Sequence, residues 1–185
     1  MRERVAAASP VVRPAVLADA PDIARAHVEA WQSAYVGLVP QKTLDGLSTE
    51  RRAVAWSRRL AEQGADRTWV AERDGRIVGF VGTGRPDDSE LPPGTAEVQA
   101  IYLVSSARGL GLGRLLLETA VGDLVERDFS GAILWVFAAN ERARHFYDVA
   151  GWRPDGTAQM LDFDGHRIEE IRYRIDLRWM PPIST

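Results

Sequence analysis

A glycine-rich turn between a strand-like segment and an apolar helix is the part of this sequence best suited to chemistry. Residues 108–113 read Arg-Gly-Leu-Gly-Leu-Gly, and the alternating stretch from Glu97 to Val104 comes before them. Glycines leave backbone N–H groups free to point at one spot, and a helix that starts there adds the positive end of its dipole. The segment therefore predicts a site for a phosphate-bearing ligand.

Two common phosphate-binding motifs do not fit this turn. A dinucleotide fingerprint needs a further glycine where Arg114 or Leu116 stands, and a P-loop needs Gly-Lys-Ser/Thr at its end. What remains is Arg-x-x-Gly-x-Gly between a strand and a helix. A connection without a ligand is the alternative, but each glycine costs a helix about 1 kcal/mol relative to alanine, which favours a ligand.

The turn resembles the pyrophosphate-binding motif of the GCN5-related N-acetyltransferases, a family that moves acetyl from acetyl-coenzyme A to an amine. Glu97 precedes Arg108 by eleven positions, as an acidic residue does in many members. Downstream, Asn140, then Phe146-Tyr147, then Gly151-Trp152 resemble the second motif of the family. The resemblance extends from Arg13 to Tyr173 and weakens in the loop 85–94.

The family resemblance implies where the acetyl donor would bind. Its pyrophosphate would lie on the N–H groups of Gly109, Leu110, Gly111, Leu112, Gly113 and Arg114, with Arg108 adding charge or organising the turn. The pantetheine arm would follow the backbone of Ile101, Tyr102 and Leu103. The N–H of Leu103 is then the candidate for polarising the thioester carbonyl. Asn140 would cap its helix and contact the arm, although capping alone accounts for its residue type.

The resemblance also implies which groups move protons. A lysine-like amine has a pKa of about 10.4 and must lose a proton before it attacks. Glu97 is the candidate base, with a salt-bridged or solvent-facing glutamate as the alternative. Tyr147 is the candidate acid for the leaving thiolate, with a core aromatic as the alternative. Strand alternation predicts that Glu97, Gln99, Ile101 and Leu103 share one face.

The acceptor is expected to lie against the first helices. Trp31 and Tyr35 are the candidate acceptor-binding residues, Trp56 is a weaker one, and the proline- and acid-rich loop 85–94 is a possible lid. Core packing is the alternative for all three aromatic residues. Glu29 or Asp45 could hold an ammonium group. A small amine, an amino acid, an antibiotic amine and a peptide N-terminus all remain open as acceptors.

Alternating and helical patterns predict the elements that must position these residues. Strands are predicted over 11–16, 68–72, 77–82, 97–104, 133–137 and 168–176; helices are predicted from Asp19 to a break at Gly37 and Pro40, from Ser48 to Gly64, over 109–127 and over 140–149. Asp74-Gly75 and Asp164-Gly165 predict hairpin turns. The fold class is mixed α/β, and the resemblance implies a mostly antiparallel, twisted sheet of six to seven strands. Helices would cover both faces, with a splay between the fourth and fifth strands.

Composition limits the class of protein. The 185 residues are 45% hydrophobic and 26% charged, which predicts one soluble domain over 10–179 with tails at 1–9 and 180–185. The net charge of −3 argues against a nucleic-acid partner, and no apolar run approaches the roughly 20 residues that span a bilayer. The spacing of the three histidines predicts no metal site.

The absence of cysteine excludes an acetyl-cysteine intermediate, so direct attack in a ternary complex is predicted. The leading hypothesis is a cytoplasmic N-acetyltransferase that uses acetyl-coenzyme A and a primary amine of a small molecule or peptide. Family habit suggests a homodimer. The alternatives are a non-catalytic acyl-coenzyme A-binding sensor or regulatory module on the same fold, and a donor with another acyl chain.

Overall fold

A computed structural model describes residues 10–62, 64 and 66–178, and within them seven strands form one sheet in the order β1-β2-β3-β4-β5-β7-β6. The strands are β1 (Val11–Pro14), β2 (Arg67–Arg73), β3 (Arg76–Gly84), β4 (Thr95–Leu103), β5 (Gly131–Phe137), β6 (Arg153–Phe163) and β7 (His166–Asp176). The helices are α1 (Ala20–Ala34), α2 (Gln41–Asp45), α3 (Thr49–Ala61), α4 (Leu112–Glu126) and α5 (Glu141–Val149). Neighbouring strands are antiparallel except the parallel pair β4 and β5, which confirms the predicted mixed, mostly antiparallel sheet.

Local sequence signals account for most element ends. Ser48 caps α3 by accepting a hydrogen bond from the N–H of Arg51. Asp19 stands at the N-cap of α1, but its carboxylate pairs with Arg13 and accepts from the N–H of Val16 instead of capping the helix. The break predicted at Pro40 is also a start, because the short helix α2 begins directly after it.

The apolar core lies on both faces of the sheet, as predicted. On one face, α4 buries Leu116, Leu117 and Leu124 against β4, β5 and Tyr173 of β7. On the other face, Ile23 of α1 and Trp56 of α3 pack on β2 and β3. Burying such side chains stabilises the fold by about 1.5–3 kcal/mol each. The sheet is therefore held rigidly between two helical layers.

The parallel pairing of β4 and β5 is short, and the two strands diverge beyond it. They pair only where Thr95 to Glu97 lie opposite Gly131 to Ile133. From Val98 onwards no pairing joins them among the described residues, so this edge of β4 is open within the sheet. The predicted splay between the fourth and fifth strands is confirmed, and it opens a cleft in the middle of the sheet.

A β-bulge makes one prediction about β4 wrong. Val98 lies opposite Thr83 and Ala100 lies opposite the next residue back, Gly82, so Gln99 is an extra residue. The bulge reverses the alternation: Glu97 faces the α1–α3 layer, whereas Ile101 and Leu103 face the α4 layer. Simple period-2 counting placed all of them on one face.

The predictions of flexible tails and of a chain without a membrane-spanning segment concern the chain ends and the helices. The predicted tails 1–9 and 180–185 lie outside the described residues, as does residue 179. Among the described residues, no helix is long and apolar enough to cross a bilayer.

Candidate active site

The splay opens into a cavity of about 1150 Å³. Most of the predicted site residues line it, namely Trp31, Tyr35, Glu97, Ile101, Tyr102, Leu103, Arg108, Gly109, Gly111, Gly113, Arg114, Asn140 and Tyr147. Leu110 and Leu112 do not line it; the Leu112 side chain is buried in the core, and that of Leu110 is about half exposed. The topology therefore brings residues from α1, β4, the glycine turn, α5 and β7 around one space.

The glycine turn presents free N–H groups at one end of this cavity. Gly109 and Gly111 have φ angles of 77° and 80°, which L side chains rarely adopt, so the backbone does not become helical until Leu112. The first N–H to join the helical ladder belongs to Leu115, which donates to the carbonyl of Gly111 at 3.0 Å. The helix start thus leaves the N–H groups of residues 112–114 without helical acceptors. The prediction that helix α4 starts at Gly109 is wrong for this reason.

Gly113 serves the cavity in a different way. A Cβ atom there would lie 3.0 Å from Leu103 Cδ1 and 3.8 Å from the ring of Phe146. The bare backbone therefore lets the start of α4 lie close against β4 and α5. Since the pantetheine arm is expected along β4 and the pyrophosphate on the turn, this closeness sets the distance between the two parts of the donor site.

Arginines make the same end of the cavity basic. Arg108, Arg114 and Arg142 all line it. The Arg108 guanidinium donates to Ser33 Oγ and to the carbonyl of Ala30, which ties the turn to the end of α1. Burial and the nearby charge of Arg142 lower the pKa of Arg108. The structure thus gives Arg108 the turn-organising contacts, and it adds Arg142, which the sequence analysis did not single out.

The open edge of β4 offers backbone groups to the cleft. Leu103 lies opposite Gly79, and the next residue, Val104, donates its N–H to the carbonyl of Val78 at 2.9 Å. In an antiparallel ladder, backbone N–H groups of successive residues point to opposite sides. The N–H of Leu103 therefore points away from β3, towards the gap beside β5, and the same register applies to Ile101.

Glu97 lines the cavity from the face of β4 that is turned towards α1 and α3. Its carboxylate has no hydrogen-bond or salt-bridge partner among the described residues. Burial, together with the charges of Asp87 and Glu170, raises the pKa of Glu97 from 4.5 to about 7, while Arg59 opposes the shift. The salt-bridged alternative is thus not what the geometry shows. A group with a pKa near neutrality can take a proton at physiological pH.

Tyr147 lies deep in the cleft and is only 8% exposed. Its ring packs beside Phe146, Trp152 and Tyr173, so the core-packing interpretation is correct for the ring. Its hydroxyl has no hydrogen-bond partner among the described residues, although it lines the cavity. Burial raises the pKa of Tyr147 above its usual value near 10, which keeps the phenol protonated at neutral pH. The Tyr147 hydroxyl can therefore donate a hydrogen bond or a proton to a group bound in the cavity.

Asn140 occupies the start of α5. Its side chain accepts a hydrogen bond from the N–H of Ala143 at 3.1 Å, which is the predicted capping contact. Asn140 also lines the cavity, about two helical turns before Tyr147. The cap explains the residue type, and a contact to the donor stays a prediction.

Aromatic side chains at the end of α1 and on β4 form another part of the cavity lining. The hydroxyls of Tyr35 and Tyr102 lie 3.1 Å apart, and the Trp31 and Tyr35 rings are in edge contact with centroids 4.9 Å apart. Both Trp31 and Tyr35 line the cavity while packing against apolar cluster residues such as Val39. Each residue therefore combines a core role with a place in the cleft.

Trp56 does not belong to the cleft. Its ring is 6% exposed within the α1–α3 core, and its indole Nε1 donates to His27 Nδ1 at 3.2 Å. Burial, and to a lesser extent the charge of Arg52, lowers the pKa of His27 to about 3, so this imidazole is neutral and structural. Of the two interpretations of Trp56, the structure favours core packing, because α3 turns this ring inward.

The loop 85–94 contributes Pro86, Asp87 and Asp88 to the cavity lining. Asp88 Oδ2 accepts from Arg172 Nη1 of β7 at 2.9 Å, and the same guanidinium donates to Asp155 at 2.8 Å and to Thr157 at 2.8 Å. A charged network therefore joins the loop to β7, and its role as a lid stays a prediction.

Four charged residues that line the cleft were not among the predicted site residues. Asp87 and Asp88 belong to the loop 85–94, which was predicted only as a possible lid, whereas Arg142 and Glu170 lie on an ordinary helix and strand. Glu29 and Asp45, the predicted ammonium ligands, do not line the cavity. Among the described residues, no group of three or more acidic or histidine side chains is arranged to hold a metal ion.

Several known proteins are similar to this chain in sequence. The acetyltransferase (GNAT) family matches residues 28–152. The uncharacterized N-acetyltransferase YuaI of Bacillus subtilis is 30% identical over 162 residues, which cover 86% of this chain and 89% of YuaI. The probable N-acetyltransferase Rv2775 of Mycobacterium tuberculosis is 27% identical over 181 residues, covering 97% of this chain and 96% of the relative.

A solved structure with the same fold contains coenzyme A. The PaiA N-acetyltransferase of Thermoplasma acidophilum, crystallised in complex with coenzyme A, aligns with a TM-score of 0.70 at 18% identity, covering 91% of this chain and 99% of PaiA. The likeness at this identity concerns the fold, including the mixed sheet that carries the cleft. Because the family match spans more than half of the sequence and a relative at 30% identity covers most of it, this chain belongs to the acetyltransferase (GNAT) family of acyltransferase enzymes.

Proposed function

We propose that this enzyme transfers acetyl from acetyl-coenzyme A to a primary amine of a small molecule or peptide by direct attack in a ternary complex. The observation that carries the proposal is the polarity of one cleft. Its basic end has the free amides of the glycine turn, and its acidic end has the unpaired carboxylate of Glu97. Coenzyme A bound to PaiA, a protein of the same fold, supports the choice of donor.

The donor would lie between the glycine turn and the open edge of β4. The amides of residues 112–114 and the guanidiniums of Arg108 and Arg142 would hold the pyrophosphate, because both supply donors to anionic oxygens. The amides of Ile101 and Leu103 face the gap that the pantetheine arm would fill. The N–H of Leu103, or that of Ile101, which faces the same gap nearer to Glu97, would then donate to the thioester carbonyl and stabilise the negative charge that develops on its oxygen.

Glu97 would take the proton that the amine must lose. At pH 7.4 only about one amine molecule in a thousand is neutral when its pKa is near 10.4. A carboxylate with a pKa of about 7 is mostly ionised at this pH and remains basic enough to accept a proton, directly or through water. The freed nitrogen lone pair attacks the carbonyl carbon, and the carbon–sulfur bond breaks when the tetrahedral intermediate collapses. The nitrogen then loses its second proton and the departing thiolate gains one, directly or through water, so that an acetamide and free thiol are released.

Tyr147 would stabilise the departing sulfur. Its phenol is protonated at neutral pH and has no other hydrogen-bond partner among the described residues. The raised pKa makes full proton transfer to a thiolate of pKa near 8.5 more uphill than for an ordinary phenol. Its contribution is therefore a hydrogen bond to sulfur that strengthens as negative charge develops there.

An amine panel separates this proposal from a coenzyme A-binding module without catalysis. Release of free thiol from acetyl-coenzyme A is followed with each amine, and donor binding is measured in parallel by calorimetry. Saturable donor binding with amine-dependent thiol release supports the enzyme. Tight donor binding without turnover on any amine supports the module, and absence of saturable donor binding contradicts both. Longer acyl donors in the same assay test the acyl-chain preference.

A further inference from the structure

Glu170 is an acidic side chain that neither the motifs nor the proposed chemistry uses. It belongs to β7, where it lies opposite Phe137 of β5 and Gln159 of β6, and it lines the cavity half-buried. Gln159 Nε2 donates to its carboxylate at 3.1 Å. Among the described residues no arginine, lysine or histidine forms a salt bridge with it, so its negative charge is not neutralised.

The surroundings of Glu170 are aromatic as well as acidic. Burial is the main cause that raises the pKa of Tyr35, Tyr102 and Glu97, and the charge of Glu170 adds to it in each case, which places all three groups within its electrostatic reach. The rings of Tyr35 and Phe137 are in contact, with centroids 4.8 Å apart, beside the register position of Glu170. Aromatic faces and a carboxylate together favour a cation.

The basic and acidic side chains that line the cleft belong to different elements of the fold. The arginines that line the cavity, Arg108, Arg114 and Arg142, belong to the glycine turn, α4 and α5 at the donor end. Asp88 is paired with Arg172, whereas Asp87, Glu97 and Glu170 keep unpaired carboxylates on the acceptor side. Asp87 is exposed, but Glu97 and Glu170 are both partly buried, and holding two partly buried carboxylates near one another is unfavourable unless a cation joins them.

A second observation in the same cavity points to a ligand independently of the acidic groups. The hydroxyl of Tyr147, a side chain more than nine-tenths buried, has no hydrogen-bond partner among the described residues. Its oxygen opens onto the cavity rather than being sealed in the core, so a molecule bound there is placed to accept its hydrogen bond. The cleft is thus built around a molecule that completes it at more than one place.

We propose that the amine acceptor carries a second positive charge, and that the carboxylate of Glu170, beside the rings of Tyr35 and Phe137, binds it. This inference rests on the proposed acetyl transfer and names the acceptor class, a diamine or an amine with another basic group. One nitrogen is deprotonated near Glu97 and attacks, whereas the other stays protonated and fixes the chain in the cleft. An acceptor with a carboxylate at that end is repelled.

Three four-carbon amines that differ only at the far end test the proposal. 1,4-Diaminobutane carries the second cation, butylamine carries a methyl group there, and 4-aminobutanoate carries a carboxylate. At pH 8.5, where Glu97 is ionised, we expect kcat/KM for the diamine to exceed that for butylamine about tenfold and that for 4-aminobutanoate further. A tenfold preference corresponds to about 1.4 kcal/mol.

Two neighbouring glutamates give a matched pair of variants. Glu170→Gln should reduce the diamine-to-butylamine ratio of kcat/KM to about one. Glu169→Gln changes the adjacent, exposed carboxylate of β7 and should keep the ratio of the unmodified protein. Equal kcat/KM for the diamine and butylamine, or a ratio that survives Glu170→Gln, would overturn the inference.

Calorimetry separates failure of this inference from failure of the proposed function. 1,4-Diaminobutane and butylamine are titrated into the protein with coenzyme A present and absent. If no amine releases thiol, the proposed transfer is wrong, yet preferential diamine binding that is lost in Glu170→Gln would still support the cation site. If thiol is released but neither binding nor turnover distinguishes the two amines, the transfer stands and the cation site is wrong.

Discussion

Replacing Glu97 by glutamine should make the protein more stable at pH 8 and less active. The carboxylate has a pKa of about 7 in the folded protein, against 4.5 for an ordinary glutamate. The folded state therefore holds this proton more tightly than the unfolded state does. Stability falls as the pH rises from about 4.5 to 7, and the full penalty is present above pH 7. Glutamine has the shape of the protonated side chain and avoids the penalty.

The size of the effect follows from that difference in pKa. At 1.36 kcal/mol per pKa unit, raising a pKa from 4.5 to about 7 corresponds to at most about 3.4 kcal/mol. Because the Glu97 carboxylate is only partly buried, solvent screening reduces this to about 1–2 kcal/mol. Near pH 4.5 the wild type is protonated when folded, so the two proteins should then differ little.

Urea unfolding at pH 4.5 and pH 8 measures this difference, and steady-state kinetics is run on the same preparations. Loss of a general base typically costs 10²–10⁴-fold, so we expect kcat/KM to fall about 100-fold at pH 8. In the wild type kcat/KM should rise with pH through about 7, and this rise should be lost in the variant. Glu62→Gln, at an exposed position after α3, is the control and should change stability by less than about 0.5 kcal/mol.

Either of two results would contradict these expectations for Glu97. A Glu97→Gln variant that is less stable than wild type at pH 8 would mean that the ionised carboxylate has a stabilising partner. Full turnover with an unchanged pH profile would mean that the base lies elsewhere or is a chain of water molecules.

Three other substitutions test the donor end, the leaving group and the loop. Tyr147→Phe should lower kcat about 10- to 100-fold with the KM for acetyl-coenzyme A within twofold; unchanged kcat would remove its assigned role. Gly111→Ala forces an L side chain to a φ of 80° and should cost about 1 kcal/mol of stability and weaken coenzyme A binding about tenfold by calorimetry. Gly75→Ala, at a φ of 69° in a hairpin turn remote from the cleft, should show the stability loss with unaltered binding. Asp88→Asn removes the carboxylate that Arg172 holds, and should raise the acceptor KM about threefold to tenfold without altering the donor KM; equal effects on both KM values would contradict a role confined to the acceptor side.

Local chemistry made much of the fold predictable. Asp74 and Gly75 have φ angles of 51° and 69°, which are the conformations that an Asp-Gly hairpin turn requires. The glycine turn was predictable because its residue types are unusual for a helix start. The short helix α2 was missed because Pro40 was taken only as a helix breaker, whereas α1 already ends at Ala34 and Pro40 directly precedes the start of α2.

The acceptor side could not be read from neighbouring residues. The Asp88–Arg172 pair joins positions 84 residues apart, and Glu170 reaches Glu97 through the order of the strands in the sheet. No local period indicates that a loop after β3 will lie against β7. Electrostatics depends on such distant placement, so the raised pKa of Glu97 had no signal in its own strand.

Because Gln99 is an extra residue in β4, the number of residues between Glu97 and Arg108 determines on which face of the sheet the Glu97 side chain lies. In a regular strand, residues an even number of positions apart point the same way, and one inserted residue reverses that parity. A homologue whose acidic residue stands ten positions before its arginine, with an unbroken β4, would aim its carboxylate in the direction that eleven positions achieve here. An alignment without a one-residue gap at this point would equate side chains on opposite sides of the sheet. Candidate catalytic carboxylates in homologues should therefore be matched by the face of the sheet on which the side chain lies, rather than by position in a sequence alignment.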